Sequence, residues 1–284
     1  MNTDTGKEKV LKYFFSFITF IFITVLSLLI CAESVFIHPY FLQKSFTTYE
    51  YTMELYNNID DYAKSVSKNA GIGIDAAEKA VTFEAVKKIN DAYICEKLKT
   101  ENQYNDQTYD YFMGVLESNL KELLVQQLNH DSVKLTGTVN DAADAYVKDV
   151  VRYIDTAVRL SYTEDLYALI PVADTALKAA SVIAGVLVGA FAVIVFYIGK
   201  KRYRGLRFVS YAVCAASITD MLLAVAAYVY TQNYGFALYP KYLQYALENH
   251  INSSILALIC ASVFLFAVYT ALLAACWKLK RKNK

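Results

Sequence analysis

Four long apolar stretches dominate the pattern of hydrophobic and polar positions along the chain. Each approaches or exceeds the roughly 20 apolar residues that a helix needs to cross a bilayer, and each is too long for an ordinary core helix of a soluble domain. We therefore predict transmembrane helices at positions 13–32, 171–199, 208–231 and 255–277. A cleaved signal peptide is disfavoured for the first stretch, because its apolar run exceeds the about 7–15 residues typical of signal sequences.

Between the first two stretches, at positions 33–170, apolar residues recur at three- and four-residue steps, which is typical of amphipathic helices. Four such helices are predicted, from Phe46 to Ala63, Asp75 to Leu98, Asp106 to Leu124 and Ala143 to Val158. Asp75 and Glu78 have the spacing of a capping box, and only the peptide HDSVKLTGTV has any hairpin character. The predicted fold class is all-α: an integral membrane protein with a four-helix transmembrane bundle and a helical domain between spans 1 and 2.

The near-zero net charge conceals a separation of charge along the chain. Positions 33–170 hold 22 acidic and 13 basic residues, whereas the segments 1–12, 200–207 and 278–284 together hold 13 basic and two acidic residues. Short membrane-flanking segments rich in Lys and Arg stay on the cytoplasmic side. We therefore expect a multi-pass protein of the plasma membrane with both termini and the 200–207 loop in the cytoplasm. The domain at 33–170 and the loop at 232–254 are expected to be extracytoplasmic.

The loop at 232–254 contains Pro240 at the start of an amphipathic segment. Because proline is favoured in the first turn of a helix, we predict a short interfacial helix with Tyr242, Tyr245 and Leu247 facing the membrane. The alternative is a lid that covers the extracytoplasmic domain.

Candidate chemistry is sparse along the whole sequence. No nucleophile elbow, zinc-protease, phosphate-binding or dinucleotide-binding pattern occurs, and the three His have no Cys or His partner at metal-ligand spacing. Of the five Cys only Cys95 lies in the extracytoplasmic domain, and a bridge from Cys95 to Cys31 is a minor alternative. We expect no enzyme activity, cofactor, metal ion or nucleic-acid partner.

Asp220 interrupts the third apolar stretch and is the main candidate for an intramembrane polar site. It lies 13 residues from Arg207, or about 20 Å along a helix, and therefore near the middle of the bilayer. An ionised carboxylate costs about 3 kcal/mol there, so we expect Asp220 to be neutral, to point inward and to hydrogen-bond Thr24 or Ser262 at similar depth. Function is the default for such an acid, but without a basic partner or second acid we favour a structural role in helix packing.

Small residues recur at four-residue spacing in the second span, at Ser181, Gly185 and Gly189. Residues in this register allow helix backbones to approach closely. We favour packing within the bundle over homo-oligomerisation along the same face, because three other spans are available in the same chain.

The peptides YFFSFITFIFITVL, in the first span, and YEYTMELYNNIDDYA, in a Tyr-rich helix after it, resemble uncharacterised four-span membrane proteins of low-GC Gram-positive bacteria. The resemblance implies the general layout of the chain and assigns no functional residue. The leading hypothesis is a non-enzymatic membrane protein whose extracytoplasmic domain binds a protein partner or cell-envelope component, for sensing or scaffolding. The alternative is a small channel or transporter subunit that uses Asp220. A lipid-modifying enzyme is disfavoured, because the spans carry no paired His, Cys or carboxylates.

Overall fold

The computed structural model describes residues 6–71, 73–101, 104, 107–131, 137–159, 163–198 and 202–282. Within these ranges the regular structure is entirely helical, which confirms the all-α fold class. The helices are α1 (Gly6–Cys31), continuing into a π-helical turn (Ala32–Phe36), α2 (Pro39–Phe46), α3 (Tyr49–Asn69), α4 (Asp75–Ala80), α5 (Phe83–Leu98), α6 (Tyr109–His130), α7 (Gly137–Arg159), α8 (Thr163–Ile198), α9 (Arg202–Tyr234) and α10 (Lys241–Lys282).

Four of the described helices carry segments long and apolar enough to cross a membrane. They are Val10–Phe36, Tyr167–Ile198, Tyr203–Tyr234 and Lys241–Arg281, and each overlaps one of the four predicted spans. The observed helices extend beyond the predicted limits, since flanking Lys, Arg and Leu residues are good helix formers. Helix α8 begins at Thr163, before the predicted boundary at 171, and Pro171 lies inside it.

The chain forms two compact units. The span unit comprises Met1–His38, Pro171–Gly235 and His250–Lys284, and the helical domain comprises Pro39–Ile170 and Phe236–Asn249. Each unit is therefore assembled from separate segments of the chain, and α8 and α10 contribute residues to both.

A continuous apolar core holds the helical domain together. One face each of α3, α5, α6 and α7 forms most of this core, and α4 and α10 add smaller parts. On α3 the buried residues Tyr51, Leu55, Ile59 and Ala63 follow the four-residue step that the sequence predicts. The four predicted amphipathic segments thus correspond to the helices that bury this core.

Threonine side chains mark the starts of three helices in the domain. The hydroxyl oxygens of Thr48, Thr82 and Thr108 accept hydrogen bonds from the backbone N–H groups three residues later, at 3.3, 3.2 and 3.4 Å. Such caps satisfy N–H groups that have no partner within the helix. Because Thr82 starts a new helix, the predicted segment from Asp75 to Leu98 is two helices, α4 and α5. The predicted helix start at Asp106 lies outside the described residues.

Helix α4 is capped by a side chain from another helix and not by the predicted capping box. No side chain of its own segment caps it, and Oε1 of Gln127 on α6 accepts a hydrogen bond from the Ala76 N–H at 2.8 Å. Glu78 instead pairs with Lys64 on α3 at 3.1 Å. The capping-box prediction for Asp75 is wrong, because residues distant in sequence supply these partners.

The predicted short helix after Pro240 forms the first turns of α10, which continues unbroken through the fourth span. Tyr242, which was expected to face the membrane, is 2% exposed and belongs to the core of the helical domain. Its hydroxyl donates to the carbonyl oxygen of Ala157 at 3.3 Å, and its ring packs edge-on against Tyr51 at 5.5 Å. The interfacial position predicted for Tyr242 is wrong, since the core buries its ring and also satisfies its hydroxyl.

In the span unit, α1 packs mainly against α9. Ile23 of α1 lies in a small apolar cluster with Ala212, Val213 and Ala216 of α9. Helix α9 already begins at Arg202, so the part of the predicted 200–207 loop that the structure describes is helical. A Cβ atom at Gly205 would lie 2.6 Å from the carbonyl oxygen of Phe196, so only glycine fits this close approach of α9 to α8.

Candidate functional site in the span unit

Asp220 is a fully buried acid on α9. Its side chain is 0% exposed, and the buried residues Ala216, Ser217 and Ala224 lie on the same part of the helix. Among the described residues, neither carboxyl oxygen has a hydrogen-bond partner, and no cationic side chain interacts with the group. A buried polar group without a partner costs about 1–3 kcal/mol, so this carboxyl requires a specific explanation.

A hydroxyl group of helix α1 lies beside this acid. The Ser27 hydroxyl is near enough to the Asp220 carboxyl to interact with it, although the two groups do not meet hydrogen-bond distance and angle. Thr24 lies three residues earlier on α1, on the same side of the helix, and its hydroxyl is also buried without a partner. The Cys31 thiol, one turn after Ser27, interacts electrostatically with Asp220. The polar surroundings of the acid on α1 therefore include the buried Ser27 hydroxyl, which has no hydrogen-bond partner among the described residues.

The predicted hydrogen bond from Asp220 to Thr24 or Ser262 is not formed. Ser262 of α10 donates instead to the carbonyl oxygen of Ser217 at 2.8 Å, and Ser217 donates back to the carbonyl oxygen of Ser262 at 2.9 Å. The two serines thus satisfy each other and close the contact between α9 and α10. The prediction is wrong because depth in the membrane alone does not fix the direction in which a side chain points.

The small-residue face of α8 does not pack as predicted. Added Cβ atoms at Gly185 and Gly189 would meet nothing within 4 Å, so neither glycine serves a close helix contact within the described part of the chain. Ser181 donates a long hydrogen bond of 3.5 Å to Glu33. The buried face of α8 carries Ala184 and Val195 instead. The favoured interpretation, packing of the glycine face within the bundle, is therefore wrong.

Sequence reasoning missed Ser27 and Gly205. Ser27 lies three residues after Thr24, so the two hydroxyl side chains share a face of α1. This spacing in the sequence could have indicated that Ser27 belongs to the same polar site. Gly205 lies in the basic segment that was assigned to a loop, where a glycine needs no packing reason. Because that segment is helical, a glycine near its start indicates that another helix packs closely against it.

The helical domain carries a second group of polar contacts, between α3 and α7. The rings of Tyr62 and Tyr153 stack at 3.6 Å between centroids with 5° between their planes. Tyr62 donates to Asp149 at 3.0 Å, Tyr153 donates to Asn58 at 2.7 Å, and Arg152 pairs with Asp149 at 2.6 Å. Partial burial, and then the bond to Asp149, raises the pKa of the Tyr62 hydroxyl. Both tyrosine hydroxyls and both Asp149 carboxyl oxygens have partners, so the group is a structural contact between the two helices.

The described residues contain no cluster of three or more His, Cys, Asp or Glu side chains arranged to hold a metal ion. Both Cys31 and Cys95 are free thiols, so the alternative of a bridge between them is not realised. Cys95 is buried in the helical domain and its sulfur accepts a hydrogen bond from Gln43 at 3.2 Å.

The regular structure of the described residues is helical and includes four helices long and apolar enough to span a bilayer, which is the architecture of a polytopic membrane protein. No protein-family model, curated protein or solved structure matches the chain. The resemblance to four-span proteins of Gram-positive bacteria therefore stays a prediction.

Proposed function

We propose that the chain is a non-enzymatic protein of the plasma membrane that displays its helical domain outside the cytoplasm. The domain binds a protein partner or a cell-envelope component, and the four spans hold it at the membrane. Sensing and scaffolding are both compatible roles for such an arrangement. The observation that carries the proposal is the size and completeness of the helical domain.

The domain takes up about half of the chain and has a continuous core of its own. Its core includes residues of both segments between spans, such as Tyr51 from the first and Tyr242 and Ala246 from the second. A protein that needed only to cross the membrane would gain nothing from ordering so many residues, because each ordered residue costs about 1–2 kcal/mol of conformational entropy. The domain is therefore expected to carry the function.

The net charge of the helical domain indicates what kind of surface its partner presents. Across its two segments the domain contains 22 acidic and 14 basic residues. Exposed acids on α6 and α7 include Asp110, Glu117 and Asp141. A surface with an excess of negative charge attracts and orients positively charged partners, so we propose that the partner presents a basic surface.

The experiment is capture of the full-length protein's partner from membranes solubilised in mild detergent, with quantitative mass spectrometry. We expect a basic protein or envelope polymer to be enriched, and its recovery to fall as salt rises from about 0.1 to 0.5 M, since salt screens exposed charges. The triple variant Asp110→Asn, Glu117→Gln, Asp141→Asn is expected to recover several-fold less of it.

The matched control removes exposed basic charges from the same domain with the double variant Lys68→Gln, Lys88→Gln. This control is expected to retain or increase recovery, because it makes the surface more acidic. Equal losses in the two variants, or capture that is insensitive to salt, would contradict a charge-guided partner.

A further inference from the structure

The unpaired state of Asp220 argues against a purely structural role. A neutral carboxyl that stabilises helix packing does so by hydrogen bonding across the helix contact. Here both carboxyl oxygens lack a partner in the part of the chain that the structure describes, although the side chain is 0% exposed. The helix contact that does use hydrogen bonds at this level is the reciprocal Ser217–Ser262 pair, and it leaves Asp220 out.

Within the described part of the chain, an ionised Asp220 would have no compensating positive charge. The groups that interact with the carboxyl are the Ser27 hydroxyl and the Cys31 thiol of α1, and Cys260 of α10 interacts in turn with Cys31. None of these side chains carries a positive charge at any pH. Burying an unpaired carboxylate costs far more free energy than burying the neutral acid. The buried Asp220 side chain therefore requires a bound cation, and the smallest such cation is a proton.

We propose that Asp220, with the Ser27 hydroxyl beside it, forms a proton-binding site within the spans, and that its ligand is one exchangeable proton. In the loaded site the carboxyl is neutral and its O–H donates to the Ser27 oxygen. When water reaches the site, the proton passes to a water molecule and the Ser27 hydroxyl turns to donate to the carboxylate. The side-chain oxygens of Asp220, Ser27 and Thr24 have no partners among the described residues. They are therefore available for the hydrogen bonds of both the protonated and the ionised site.

The site connects protonation to the contact between α1 and α9. Its acid belongs to α9 and its hydroxyl to α1, which are packed against each other around Ile23 and Ala216. Loss of the proton leaves a charge in this apolar contact and favours its hydration. The inference stands apart from the proposed partner binding, and failure of one leaves the other intact.

The experiment uses the full-length protein in detergent micelles with dicyclohexylcarbodiimide as the probe. The O–H group of a protonated carboxylic acid adds across a C=N bond of this apolar reagent. The product rearranges to a stable N-acylurea, so the chain gains the whole mass of the reagent. Mass spectrometry is expected to find this addition at Asp220 at about pH 6, and at least a tenfold lower rate at a pH high enough to ionise the site. The Asp220→Asn variant is expected to show no addition at this position.

A matched pair of variants on α1 keeps the test independent of Asp220 itself. Ser27→Ala removes the hydroxyl that stabilises the carboxylate, so the midpoint of labelling against pH is expected to move up by about 0.5 unit or more. Thr19→Ala is the control, because the Thr19 hydroxyl already donates to the Phe15 carbonyl oxygen at 2.7 Å, and its midpoint is expected to stay unchanged.

Three results would overturn the proposal. Asp220 that is unlabelled at about pH 6 would be ionised and not proton-loaded. A labelling rate independent of pH would show a permanently neutral acid. Suppression of labelling by sodium chloride but not by choline chloride would show that a metal cation occupies the site.

Discussion

Several buried tyrosines of the helical domain combine an apolar ring with a satisfied hydroxyl. Tyr109 donates to Asp155 at 2.7 Å, Tyr146 and Ser67 share a hydrogen bond of 2.7 Å, and Tyr93 donates to a backbone carbonyl at 3.2 Å. Such side chains contribute large apolar contacts and place their polar atom at the edge of the core. Asp220 differs from these residues, because the domain pairs their hydroxyls whereas the carboxyl of Asp220 has no hydrogen-bond partner among the described residues.

The Tyr109 hydroxyl provides a test of one such contact. Burial, and then the hydrogen bond to Asp155, raises the pKa of Tyr109 above its usual value. A raised pKa stabilises the fold by an amount that is fully present below about pH 10 and is lost as the pH rises further. We expect Tyr109→Phe to lower the free energy of unfolding by about 1–2 kcal/mol at neutral pH, and the difference from the parent protein to shrink at about pH 11.

Thermal or denaturant unfolding of the full chain in detergent at the two pH values measures this difference. Tyr111→Phe is the matched control, because Tyr111 lies on the same helix but is 50% exposed. Equal effects of the two substitutions, or a difference that does not change with pH, would show that the Asp155 contact does not stabilise the domain.

At the scale of helices, sequence patterns located the elements but not all of their ends. Apolar periodicity predicted α3, α5, α6 and α7, because those helices bury one face each against a common core. The start of a helix was less predictable where the capping side chain comes from a different helix, as Gln127 of α6 does at the start of α4. The sequence also did not predict that the amphipathic segment after Pro240 and the fourth span form one helix, α10. The pattern of such a segment does not show whether its apolar face contacts lipid or protein.

The first turns of α10 supply a second prediction with an internal control. Tyr242 is 2% exposed and Tyr245, one turn later, is 37% exposed. Tyr242→Ala is expected to destabilise the helical domain by about 3 kcal/mol, since it leaves a cavity in the core, whereas Tyr245→Ala should cost less than about 1 kcal/mol. Thermal unfolding of both variants checks this, and indistinguishable values would restore the interfacial-helix interpretation.

At the scale of the whole molecule, the sequence predicted the four long apolar helices well and the site only in part. Membrane crossing depends on length and apolar composition, which are local properties, so all four candidate spans overlap their predictions. The site depends on which faces of the helices meet, and that is a tertiary property. Asp220 is therefore identifiable from its place in an apolar run, whereas the position of Ser27 beside it and the open face at Gly185 depend on the packing.

The orientation of the spans is the premise for an extracytoplasmic helical domain, and it is predicted from charge alone. Glu117 on α6 and Lys280 near the end of α10 are both exposed and belong to different units. Single substitutions to cysteine at these positions place one reporter in the helical domain and one beside the basic end of the chain. The parent protein, whose cysteines lie in span helices or are buried, sets the background.

The most direct measurement is labelling of these variants in intact cells with a maleimide that does not cross membranes. We expect Glu117→Cys to be labelled in intact cells, and Lys280→Cys to be labelled only after the membrane is permeabilised. Labelling of Lys280→Cys in intact cells, with Glu117→Cys protected, would contradict the proposed orientation and with it the display of the helical domain outside the cytoplasm.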